Sequence, residues 1–554
     1  MHKLYQYILF AIVLVIAVSA SAKAQSSAVL RPSEEIHLFS DRTLYVAGED
    51  IRFSARLSQN NTDLNYPLSR IIYCELITPD GNKVSDGKYL LSNSCASGNL
   101  TIPKELITGI YYLRAYTKFM RNFGPASFSY VLVKIVNQAK TEFVSGNTAD
   151  SSSLTKALNP SETASVFKLS TDKSAYALRN PVTLTIETTS AEPLAGVTVS
   201  VVPSASVSEY INPPAIYKNV TDLRYLPETR GVSLSGRLIN KVKGNPLPYA
   251  DLSLTMIDNR DFIPIVTDSS GKFFFALAEQ YGSKDLLIST AKPDSINTEI
   301  LVDNDFCPEK VSLPSPRFSL SEAERLVATQ LSNTVQIAKY YSSEAITDST
   351  KKTAEPFYGK ASLVLQLDQF IQLPTLDEYF TELTTIVKIR KSGKKKHFSI
   401  SGPFSEMSVY APLILIDLVA IDDADKILAV SPMGISRIEI VNEPYIKGDI
   451  VYGGIISIIS RKNDFAGIDL PSSGLFINYR FLSEKNIIPA ASPDAKTPDI
   501  RNTLYWVPDI ELRQGVKSVH HFDCSDTPGD YSITVKGISK NGTIVSDTKT
   551  FSVR

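Results

Sequence analysis

The residues with the means to do chemistry in this 554-residue chain are four cysteines, two adjacent histidines, one acidic run and one basic run. His520-His521 stands near Asp523 and Cys524, but neighbouring residues of a strand point to opposite faces, so the set reads as a solvated strand rather than a metal site. Asp422-Asp423-Ala424-Asp425 lacks the glycine and distal glutamate of an EF-hand loop and reads as a charged helix start, where carboxylates are favoured. Arg390-Lys391 and Lys394-Lys395-Lys396 flank a Ser392-Gly393 turn; they read as a solvated hairpin tip or as a contact for anionic headgroups or a partner. No G-x-S-x-G, H-E-x-x-H or G-x-x-x-x-G-K-[ST] occurs. The expectation is a protein that is not an enzyme, with no catalytic, cofactor or metal site.

Cys74, Cys95, Cys307 and Cys524 show no close pair of the zinc or redox kind. The chain opens like an exported one. An apolar run from Ile8 to Val18 is followed by Ala22-Lys23-Ala24, the pattern of a secretory signal peptide cleaved before Gln25. Export would place the chain where disulfides persist. Cys74 and Cys95 share one predicted domain, so they are the disulfide candidate, the alternative being two buried thiols. After the signal, no apolar stretch is long enough to span a bilayer, which takes about 20 residues. Basic and acidic residues balance at 57 and 58, without the basic excess of a nucleic-acid binder.

The elements that must position these groups are mostly strands. With 26 Tyr, 24 Phe, 31 Pro and 26 Gly, the composition suits β-domains punctuated by turns. Alternating segments such as Ile51 to Leu57, and the turn at Asp80-Gly81, mark a first sandwich over 25–137. A polar linker covers 138–162. Asp172-Lys173-Ser174-Ala175-Tyr176 then repeats Asp41-Arg42-Thr43-Leu44-Tyr45, which predicts a second sandwich over 163–230, partial or completed by C-terminal strands. A third β-module spans 231–305. Residues 306–355 form a helical linker opened by the capping box Ser321-Glu322-Ala323-Glu324. A small α+β domain spans 356–470, and a linker and β segment span 471–554. The fold class expected is therefore mainly β and multidomain: tandem β-sandwiches, a small α+β domain and a C-terminal β segment.

Three segments resemble a family of Gram-negative envelope proteins that combines macroglobulin-type sandwiches with a TonB-receptor plug domain. Leu113 to Asn122 is similar to the close of the family's first sandwich. The third module, through Ser235-Gly236-Arg237 and Thr267 to Phe273, resembles carboxypeptidase-type regulatory domains. Pro412 to Asp417, Ile435 to Val441 and Tyr452-Gly453-Gly454-Ile455 resemble a receptor plug, with Asp417, Gly453 and Gly454 as its motif. Plugs usually carry Gly after that Asp. Here Leu418 follows, and a turn needing positive φ would resist Leu, so a different local loop is expected. Only about 84 residues follow Leu470, too few for a 22-stranded barrel at roughly 9–11 residues per strand. The resemblance implies an exported, outer-membrane-associated structural or interaction protein whose partner is an envelope or outer-membrane protein, β-barrels included. The alternative it implies is an accessory subunit of TonB-dependent nutrient import.

Overall fold

A computed structural model describes residues 34–59, 68–144, 166–208, 215–216, 218, 220, 223–257, 261–290, 297–341, 356–393, 395–421, 423–447, 450–462, 465–467, 474–484, 497–540 and 542–554. The expected signal peptide, most of the 138–162 linker, Lys394 and Asp422 lie outside them. The described residues are mainly β and multidomain. They fall into two compact units, one of Met1–Thr229, Cys307–Ser343 and Lys485–Arg554, the other of Arg230–Phe306 and Glu344–Glu484.

In the first unit, β1 (Glu34–Ser40), β2 (Leu44–Val46), β3 (Asp50–Gln59), β4 (Ile71–Ile77), β5 (Lys83–Leu90), β6 (Cys95–Thr101), β7 (Gly109–Tyr116) and β8 (Ser129–Val136) build a sandwich. Its sheets run β1-β3-β6 and β2-β8-β7-β4-β5. Alternate residues of β3, namely Ile51, Phe53, Ala55 and Leu57, are buried, as a strand with one face on a core requires.

The disulfide expected between Cys74 and Cys95 is not formed: both are free, buried thiols. Strand parity explains this. Cys74 lies on β4 between Tyr73, whose hydroxyl bonds Glu228, and Glu75, which pairs with Arg114; both point out of the sandwich, so Cys74 points in. Cys95 lies on the other sheet. It pairs in register with Arg56, and its sulfur sits 3.5 Å from Ser54 Oγ and 3.9 Å from the Pro508 carbonyl, on the outer face. The two thiols are on different sheets, one facing inward and one facing outward.

A second sandwich begins with β9 (Phe167–Thr171), β10 (Ala175–Tyr176), β11 (Pro181–Thr188) and β12 (Ala195–Pro203). After Thr229 the chain passes into the second unit. β13 (Ser233–Asn240), β14 (Asp251–Met256), β15 (Asp261–Val266), β16 (Lys272–Ala276), β17 (Ser283–Thr290) and β18 (Thr298–Val302) form two sheets. The helix α1 (Glu322–Tyr341) returns to the first unit. Its capping box is made in both directions: the Glu324 amide donates to Ser321 Oγ at 3.2 Å, and the Ser321 amide donates to Glu324 Oε2 at 2.7 Å. Ala328 and Leu331 pack on Leu44, Val46 and Val136 of the first sandwich.

Back in the second unit come β19 (Leu363–Gln366), α2 (Leu376–Leu383), the hairpin β20 (Val387–Ser392) and β21 (Lys395–Ile400), β22 (Leu413–Ile416), β23 (Val419–Ala420), α3 (Ala424–Leu428), β24 (Ile435–Val441), β25 (Tyr445–Lys447), β26 (Ile450–Tyr452) and β27 (Ile455–Ser460). The central sheet runs β19-β24-β27-β22-β23, with β22 and β27 parallel. The strand β28 (Leu475–Arg480) falls beyond the boundary expected at 470. It pairs with β17, so it belongs to the third module's sheet.

Finally β29 (Tyr505–Ile510), β30 (Ser518–Asp523), β31 (Gly529–Ile538) and β32 (Ile544–Val553) join the second sandwich. Its sheets, β10-β32-β31-β12-β29 and β30-β11-β9, match those of the first sandwich strand for strand. In both copies the short second strand pairs in parallel with the last one: Tyr45 with Ile135, and Tyr176 with Val553. The β4–β5 hairpin turn of the first copy corresponds to everything between Pro203 and Tyr505 in the second. The two ends of that insertion meet the first sandwich at one corner. The Thr43 amide donates to the Ser206 carbonyl, Asn502 Nδ2 to Glu49 Oε1 at 2.6 Å, and Thr503 Oγ1 to Asp41 Oδ2 at 2.7 Å.

Candidate interaction surface

The motif residues flank strands of the central sheet of the α+β part: Asp417 follows β22, whereas Gly453 and Gly454 precede β27, and since these strands are parallel the two parts of the motif lie at opposite ends. Asp417 and Leu418 are the two-residue turn between β22 and β23, with φ of 44° and 69°. This corrects the expectation that Leu would force a different loop. The strain of a left-handed leucine is about 1–2 kcal/mol, and burial offsets it. The Leu418 side chain is buried among Phe262, Leu413, Leu415 and Ile455. Asp417 anchors the turn: its carboxylate accepts from the Ser460 amide at 2.7 Å, Ser460 Oγ at 2.5 Å and the Phe465 amide at 2.8 Å. Gly453 and Gly454 are demanded by close backbone approach. A Cβ at Gly453 would stand 2.3 Å from the Tyr410 carbonyl oxygen, and one at Gly454 2.6 Å from that of Val441.

β22 and β27 are buried along their whole length, so both faces of this sheet need cover. On one face, Ile414, Ile416, Ile438, Ile440, Ile456 and Ile458 pack with α2, α3 and the β20–β21 hairpin. On the other, Leu413, Leu415, Leu418 and Ile455 pack against Phe262 of β15. The sheet is closed by residues of its own unit.

What stays open is a rim beside Gly453. Phe404, Met407, Tyr410 and Pro444 line an apolar cavity of about 240 Å³. Phe404, Val409 and Tyr410 around it are exposed, Val409 at 78 %, and so is Ile446 on β25. Sequence reasoning missed this rim. Its only signal was a cluster of apolar residues, Phe404 to Pro412, inside a segment that had no strand or helix period.

The other candidates fall apart in space. His520 is half-buried and bonds to Tyr505 Oη and Ser518 Oγ, whereas His521 is exposed with Nδ1 3.3 Å from Thr183 Oγ1; Cys524 is buried. Burial pushes the Cys524 thiol up to about 11 and lowers His520. Asp423 caps α3, accepting from the amides of Asp425 at 3.0 Å and Lys426 at 3.4 Å. Among the described residues, no helix is long and apolar enough to cross a membrane.

No protein-family model matches the chain, and no curated protein matches it in sequence. Among solved structures it is similar to Escherichia coli alpha-2-macroglobulin activated by porcine elastase, at 9 % identity over 94 % of this chain and 44 % of that one, with a TM-score of 0.23. The native conformation of E. coli alpha-2-macroglobulin gives 7 % identity, 96 % and 40 % coverage and a TM-score of 0.24. The E. coli adhesin FdeC gives 11 %, 49 % and 64 %, with 0.15. The chain thus spans less than half the length of those macroglobulins. Likeness at this level leaves the function of the chain to its own residues.

Proposed function

We propose that this is a non-enzymatic, exported interaction protein of the cell envelope, in which macroglobulin-type sandwiches and a regulatory-type β-module carry a plug-like α+β domain toward an envelope partner. The observation that carries the reading is a sheet closed on both faces beside an apolar rim left uncovered. A sheet that needs no barrel wall to bury it is free to serve as a docking unit, and an exposed apolar patch on a folded surface marks an interaction site. Val409→Glu and Tyr410→Glu should abolish co-purification with the partner from native membranes while leaving the unfolding transition in place. Retention of every associated protein by both variants would sink the proposal.

The resemblance of the Asp417, Gly453 and Gly454 turns to a receptor plug favours a second reading, an accessory subunit of TonB-dependent nutrient import. Deleting the protein should then impair growth on one nutrient only. An envelope defect on every nutrient supports the first reading.

A further inference from the structure

We propose that the outer face of the β20–β21 hairpin is a contact for an anionic, phosphate-bearing lipid surface. The register sets the faces. Val387, Ile389, Phe398 and Ile400 turn inward, with Val387, Phe398 and Ile400 buried in the core beneath. Lys388, Arg390 and Lys395 then fall on the outer face with Ser392, His397 and Ser399, and all three cations are exposed. Lys391 at the turn is exposed as well. No carboxylate occurs between Val387 and Ile400. Lys396 alone is neutralised, 2.5 Å from Asp377 on α2. Lys388, Arg390, Lys391 and Lys395 have no ion-pair partner among the described residues.

This arrangement works against the hairpin. Lys388, Arg390 and Lys395 crowd one face of a short ribbon, where like charges repel. In a chain of net charge −1 this concentration is not a general basic character. Local rules of this kind are broken where function gains from it. The type of partner follows from the residues. Protein interfaces are anchored by Tyr, Trp and Phe side chains and are poor in lysine, and this face holds three cations and no Tyr, Trp or Phe. A set of exposed cations suits a diffuse anionic surface, to which each cation adds about fivefold in affinity whatever its exact geometry. The inference draws its setting from the proposed export but is tested without it.

The purified full chain should bind vesicles of phosphatidylcholine mixed with phosphatidylglycerol, should ignore phosphatidylcholine alone, and should release as salt is raised. The triple variant K388Q/R390Q/K395Q should bind the mixed vesicles on the order of a hundredfold more weakly. Its midpoint of thermal unfolding should be unchanged or higher, a readout that a structural role for these cations would move downward. K241Q/K243Q, on an exposed turn elsewhere, should bind as the parent does. Equal binding to both vesicles, full binding by the triple variant, displacement by millimolar inorganic phosphate at constant ionic strength, or binding to polyglutamate without binding to vesicles would each overturn the proposal.

Discussion

The hydroxyl of Tyr176 donates to Asp172 Oδ1 at 2.7 Å, and Tyr45 makes the same bond to Asp41 Oδ1 at the same distance. In each copy the carboxylate also accepts a backbone amide eleven residues on, from Thr183 or Arg52, and a cation lies over the tyrosine ring. The environments differ: Tyr45 and Asp41 are buried, whereas Asp172 is exposed. Removing a partner costs most where the group left behind has no water. Tyr45→Phe should therefore cost about 1–3 kcal/mol and Tyr176→Phe about 1 kcal/mol or less, read from urea midpoints at constant slope. Equal costs would contradict the difference in burial.

Leu418 gives a sharper test. Leu418→Ala removes buried atoms and should cost about 2–5 kcal/mol. Glycine is ordinarily worse than alanine, by roughly 0.5–1 kcal/mol. At a φ of 69° that order should reverse, with Leu418→Gly more stable than Leu418→Ala by up to about 1 kcal/mol. Alanine coming out ahead by its usual margin would mean that the turn relaxes out of the left-handed region.

Glu324 couples α1 to pH. Burial alone would push its carboxyl up, but the Lys134 ammonium at 2.8 Å and the Ser321 amide outweigh it and hold it below its ordinary value. A folded value below the unfolded one gives a contribution that is full above the unfolded value, near 4.5, and is lost as pH falls through the folded one. The stability gap between the parent and Glu324→Gln should thus narrow on acidification below about pH 4.5. Ser321→Ala should cost about 1 kcal/mol at neutral pH. A gap that widens in acid would refute the assignment.

All four cysteines should react with a thiol-specific mass tag after unfolding without reductant, and reductant should not shift the unfolding midpoint. A tag count of two would restore a disulfide.

The elements legible in the sequence were those whose partners lie close along the chain. Ser321 and Glu324 are three residues apart, and the contact forms as their spacing implies. What escaped depended on pairing across long separations. Proximity in sequence suggested joining Cys74 to Cys95, but only the register of β4 and β6 shows which face each thiol takes. Nothing local in Leu475 to Arg480 announces β17 as its neighbour. Leu418 misled because the usual penalty for a left-handed leucine was weighed without Phe262, a residue far away in sequence that helps bury it.

The strand-for-strand match between the two sandwiches has a consequence in time. While the chain emerges from its N-terminus, the first sandwich has all its strands by Val136. The second has only β9 to β12 by Pro203 and must wait for Val553. Until Tyr505 is reached β12 has unpaired hydrogen-bonding groups on both sides, since its neighbours β29 and β31 have not yet been made. Such strands invite pairing with other chains. A product truncated before β29 would therefore be a hazard to its neighbours as well as a loss of function. Any factor that holds the early half until the end arrives would act on this one sandwich.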